Sequence, residues 1–119
     1  MRRFLPLLVV LALAAPPTGF AVLSATKLSG TTGPGFTITL KKAGKKVTTL
    51  KPGKYTITVS DKSTAHDFVL TGPGIRNKKI TTVSFMGTKT VTVTLKKGTY
   101  TYYCTPHRSI GMKGTFKVK

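Results

Sequence analysis

From residue 22 onward the chain alternates between two kinds of side chain. Phe36-Thr37-Ile38-Thr39-Leu40, Tyr55-Thr56-Ile57-Thr58-Val59, Val91-Thr92-Val93-Thr94-Leu95 and Tyr100-Thr101-Tyr102-Tyr103-Cys104 set large apolar residues against threonine at every second position. Successive side chains of a strand point to opposite faces, so this period builds strands with one apolar and one hydroxyl face. Shorter runs at Val47–Leu50, His66–Leu70, Ile80–Phe85 and Thr115–Val118 bring the expected number of strands to about eight. Turn residues punctuate them at Gly33-Pro34-Gly35, Pro52-Gly53, Gly72-Pro73-Gly74, Gly87 and Lys97-Gly98. No long helix is expected. The pattern predicts an all-β fold, a single antiparallel β-sandwich of Greek-key type whose inner faces form the core.

Ahead of this region, Arg2 and Arg3 precede an apolar run from Phe4 to Ala15 and then a stretch rich in Pro, Gly and Ala. That order is the order of a secretory signal. Gly19-Phe20-Ala21 places small residues where a signal peptidase reads, which predicts a signal peptide over 1–21 and a mature domain over 22–119. Cleavage after Ala14 or Ala25, and retention as a membrane anchor, are the alternatives. The protein is therefore expected to be exported, periplasmic or extracellular, and to touch a membrane only through this segment if it is uncleaved.

The 119 residues contain 20 Lys and Arg against two acids, Asp61 and Asp67, a formal charge of +18. Removing residues 1–21 takes Arg2 and Arg3 away and leaves +16. Two acids leave little room for paired-carboxylate catalysis. A body so basic is steered toward anionic partners, but no nucleic-acid-binding motif is present and no nucleic acid is expected. With one cysteine, Cys104, there is neither an internal disulfide nor a four-cysteine zinc site.

The chemistry is concentrated in Tyr102-Tyr103-Cys104-Thr105-Pro106-His107-Arg108-Ser109-Ile110-Gly111-Met112-Lys113-Gly114. Within nine residues it gathers a thiol, an imidazole and a thioether, between two strands, where a tight loop can aim all three at one centre. The other histidine, His66, opens a strand after a polar turn. Two His, one Cys and a weak axial Met form the set that binds copper in electron-transfer sites, because the sulfur ligands favour Cu(I) while imidazoles hold Cu(II). Met86 is read as core, and Gly111 and Gly114 as marks of a loop around Met112.

The motif Tyr-Cys-x-Pro-His-x-x-x-Gly-Met-x-Gly, with a histidine upstream before an apolar strand, resembles the plastocyanin and pseudoazurin branch of the cupredoxins, the blue copper proteins. The resemblance spans residues 35 to 119, including Pro52-Gly53-x-Tyr55 and Gly98-x-Tyr100-x-Tyr102. It implies one copper ion on His66, Cys104, His107 and Met112, and electron exit at the His107 edge, ringed by Pro106, Ile110 and the Gly33-Pro34-Gly35 loop. The sequence departs from the family at Asp67, where Asn is usual. Asp67 can only accept hydrogen bonds, for which Thr105 is the candidate donor. The chain is also basic where plant plastocyanins carry an acidic docking patch, and only 37 residues separate His66 from Cys104.

The expected function is that of a type 1 copper protein, a monomer carrying single electrons between redox partners. The docking surface of the partner is expected to be acidic, attracted by cations such as Arg108 and Lys113. Tyr103, beside Cys104 but on the opposite strand face, is a candidate outlet for the electron. Delivery or sequestration of copper outside the cytoplasm is the alternative. Enzymatic activity is not expected, because copper enzymes of this fold need further histidines and none remain.

Overall fold

The computed structural model describes residues 24–119; the expected signal segment lies outside them. Ten strands form two five-stranded sheets. In chain order they are β1 (Thr26–Thr32), β2 (Ile38–Lys42), β3 (Lys45–Lys46), β4 (Thr49–Leu50), β5 (Gly53–Asp61), β6 (Phe68–Gly72), β7 (Ile75–Thr81), β8 (Gly87–Leu95), β9 (Gly98–Tyr103) and β10 (Lys113–Val118). One sheet runs β3-β2-β1-β5-β8 and the other β4-β10-β9-β6-β7. The sandwich expected from the alternation is thus present, but its sheets are mixed. The chain leaves β1, passes through β2, β3 and β4, and re-enters the first sheet as β5, parallel to β1. In the second sheet β4 likewise runs parallel to β10.

The alternating segments bury their apolar faces as expected. Tyr55, Ile57 and Val59 of β5, Val93 and Leu95 of β8, and Tyr100 and Tyr102 of β9 meet Leu28, Leu40, Phe68, Leu70 and Phe116 between the sheets. Phe68 stacks on Tyr102 at 5.7 Å and Tyr100 on Phe116 at 5.4 Å between ring centroids. The Tyr100 hydroxyl donates to the Pro73 carbonyl at 2.6 Å and accepts from the Lys96 N–H at 3.0 Å, so its polar tip is satisfied as its ring is buried.

Several expectations are corrected. β1 was not anticipated, because its inward positions include Gly30 and Thr32 and the apolar alternation is hidden. Gly30 is required there: a Cβ would lie 3.0 Å from both Phe68 and Val59. The strand expected at Ile80–Phe85 lies earlier, at Ile75–Thr81. It is a sheet edge rich in Arg and Lys, and such an edge carries charge in place of apolar alternation. Met86 is not core; it is 63% exposed in the β7–β8 turn. Phe36 precedes β2 instead of opening it and is 66% exposed. Gly114 belongs to β10, opposite Tyr102. It is glycine because a methyl there would run into the Tyr102 ring.

Candidate metal centre

Two connections at one end of the sandwich hold the site. The first, residues 62–67, joins β5 to β6 and is knit together by its own polar groups. Asp61 Oδ1 accepts from the Ser63 N–H at 3.2 Å, Ser63 Oγ from the Ala65 N–H at 3.0 Å, and the Ser63 carbonyl from the His66 N–H at 3.4 Å. The second begins at Cys104 and winds a short 3-10 helix, Thr105–Ile110, with Pro106 in its first turn. Proline has no N–H to leave unpaired there and its φ already suits the helix. Gly111 ends the helix at φ 97°, a left-handed conformation that glycine adopts without strain. The chain then returns through Met112, whose carbonyl accepts from the Cys104 N–H at 3.0 Å and whose N–H donates to the His107 carbonyl at 3.2 Å.

These loops bring three ligand atoms together. His66 Nδ1 and His107 Nδ1 are 3.0 Å apart, and Cys104 Sγ lies 3.6 Å and 3.5 Å from them. The centre of that triangle is about 2 Å from each corner, the length of a bond from a first-row metal to nitrogen and a little under that to sulfur. His66 and Cys104 are buried and His107 is partly exposed. Met112 is buried beneath the same loop. A soft thiolate with two imidazoles in a near-equilateral triangle, and a thioether beside them, suits copper. A family model described as copper binding proteins, plastocyanin/azurin family, matches residues 37–119. The chain belongs to that family.

This cupredoxin resembles solved structures of the same fold. Rusticyanin from Thiobacillus ferrooxidans superposes with a TM-score of 0.52 at 24% identity, over 78% of this chain and 76% of that one. Auracyanin from Roseiflexus castenholzii gives 0.51 at 24% identity, over 80% and 98%. A stretch of 22 residues is 73% identical to plastocyanin of Dryopteris crassirhizoma; it covers 18% of this chain and 22% of that relative's length.

In this cupredoxin Asp67 ties the two ligand loops together. It is fully buried, accepting from the Thr105 N–H at Oδ1 (2.6 Å) and from the Thr105 hydroxyl at Oδ2 (2.7 Å), while its carbonyl accepts from Thr32 Oγ1 at 3.2 Å. The acceptor role expected of Asp67 toward Thr105 is the one found. Burial pushes the Cys104 thiol pKa up; hydrogen bonds from the backbone N–H groups of Asp67 and His107 oppose this, and the Asp67 carboxylate adds to the rise. A metal entering the site therefore displaces a proton from Cys104.

Tyr103 lies on the far side of β9 from the core. Its ring is covered by the Arg108 guanidinium at 4.2 Å and its hydroxyl donates to Asn77 Oδ1 at 3.0 Å. Pro106 and Ile110, in the same short helix as His107, are exposed. The resemblance brings the Gly33-Pro34-Gly35 loop to the ligands, but it does not give the place of Phe36 or the contact of Gly33 with His66. Phe36 stands edge-on to His107 at 4.8 Å and to His66 at 5.8 Å. Gly33, at φ 76°, packs against His66 so closely that a Cβ would come within 2.9 Å of the ring. Both belong to the β1–β2 connection, whose approach to the ligands follows from the unanticipated strand β1. The clue in the sequence was the Gly33-Pro34-Gly35-Phe36 run, an aromatic set in turn residues.

Proposed function

We propose that this protein is a blue copper carrier of single electrons, working outside the cytoplasm between redox partners. The observation that carries the reading is the ligand triangle, preformed and buried, with only the His107 edge reaching the surface. Bound there, copper supplies a one-electron couple with little change in geometry. His66, Cys104 and His107 would provide the strong ligands, and Met112 a weaker one. The backbone N–H groups of Asp67 and His107 act on the sulfur of Cys104, the kind of outer contact that tunes a metal site. Asp67 and Thr105 hold the two loops at a fixed separation. Phe36, Pro106 and Ile110 exclude water around His107, leaving its edge as the route for electrons, with Tyr103 a second route on the side of Cys104. Arg108 and Lys113 beside this end suit a partner whose docking surface is acidic.

The absorption spectrum of the protein with one equivalent of Cu(II) tests this. An intense visible band arising from the Cys104 thiolate is expected, and Cys104→Ser should abolish it. Met112→Leu should keep the band and shift the reduction potential. A colourless protein with copper bound would exclude a blue site.

A further inference from the structure

The other end of the sandwich has no part in the copper site, yet much of the charge is there. Lys42, Lys51, Lys54 and Lys119 line an open cavity of about 770 Å³. The turn pairs at 45–46 and 96–97 lie at the same end, since β2 and β8 leave the ligand loops behind as they run toward those turns. No acidic side chain answers them. The only acidic side chains, Asp61 and Asp67, are 1% and 0% exposed and lie at the ligand end. Ser24, the first described residue, lines the same cavity.

We propose that this lysine end docks on anionic lipid headgroups and holds the sandwich on a membrane surface with the ligand end turned away. Charge complementarity is the first support, each lysine close to an anionic bilayer strengthening binding about fivefold. The second is the chain outside the structure. Its apolar run, Phe4 to Ala15, joins the body at Ser24 through residues 16–23, which span at most about 28 Å. Whenever that run is in a bilayer, the lysine end is the part of the body held near the headgroups. Among the described residues no helix is long and apolar enough to cross a membrane. β5, nine residues long, separates the two ends by about 30 Å, so a docked molecule keeps His107 open to a partner.

The chain from Val22 onward, which keeps every core residue from Leu28 to Val118, is sedimented at low salt with vesicles and its fold is checked by circular dichroism. One vesicle set is phosphatidylcholine alone and the other contains about one-third phosphatidylglycerol. Binding to the second set only is expected. Replacing Lys42, Lys51, Lys54 and Lys119 together by Gln should weaken it at least about a hundredfold, whereas the charge-matched set Lys62, Lys78, Lys79 and Lys89 to Gln should weaken it less than about fivefold. Equal losses in the two sets would overturn the proposal, as would equal binding to both vesicles. Capture by soluble polyphosphate without any binding to vesicles would overturn it too, in favour of a polymer ligand.

Discussion

At the ligand end the large apolar side chains that meet water are Phe36, Met86 and Ile110, whereas the opposite end presents lysine around an open cavity. Both acids of the sequence are buried at the first end and carry structure there: Asp61 organises the turn before His66, and Asp67 bridges that turn to Thr105. The contrast teaches that the charge of this chain and its chemistry occupy different places. A net charge read from composition says little about which surface a redox partner meets.

Copper should act on one end only, and this is the largest effect expected. Metal bound to the folded state alone stabilises it by about 4 kcal/mol at a thousandfold excess over Kd. In hydrogen exchange under native conditions, where exchange runs through local opening, the Thr105, His107 and Met112 amides should slow on copper binding, while those of Lys117 and Lys119, paired with Thr48 and Leu50, should change little. Uniform slowing across the molecule would erase the distinction between the ends.

Next in size is Asp67→Ala, which strips two hydrogen bonds from Thr105 and leaves its N–H unpaired, at a cost of about 3 kcal/mol. Asp67→Asn should recover most of this, since the amide can serve both Thr105 groups. The fourfold lysine variant should stay within about 0.5 kcal/mol of the parent. Denaturant midpoints measure all three, and a lysine variant as damaged as Asp67→Ala would contradict the separation of roles.

The smallest effect concerns encounter rates. Arg108 lies beside His107, so Arg108→Gln should slow reaction with an anionic redox reagent about twofold at low salt, the difference vanishing at high salt. The distant lysines, about 30 Å from His107, should matter less, because their interaction with the reagent falls with distance and is screened first as salt rises. Stopped-flow traces for the two variants decide it; a faster reaction with a cationic reagent would remove the steering argument and leave the copper site intact.

The sequence made some of this legible and hid the rest for physical reasons. β5, β8 and β9 were readable because each buries one face fully, so hydrophobic period and structure coincide. β1 was not, because its inward set is Leu28, Gly30 and Thr32, and the glycine is dictated by Val59 beside it on β5 and by Phe68 across the sandwich. Cys104, His107 and Met112 were readable because one short loop carries them and local spacing sets their approach. His66 was readable through its strand-end position and the family motif. Phe36 could not be placed against His107, since that contact depends on β1 pairing with β5 and carrying the next loop over the ligands. Gly114 looked like a loop residue, and only the ring of Tyr102 explains a glycine within a strand.

The burial of both carboxylates has a consequence for how two copies of this protein meet. A body whose outward-facing ionised side chains all share one sign repels its own kind, and that repulsion is strongest where lysines cluster. The mutual approach that keeps the lysine clusters farthest apart is through Phe36, Ile110 and the His107 edge. Self-encounters are thereby biased toward orientations that turn the two lysine ends away from each other.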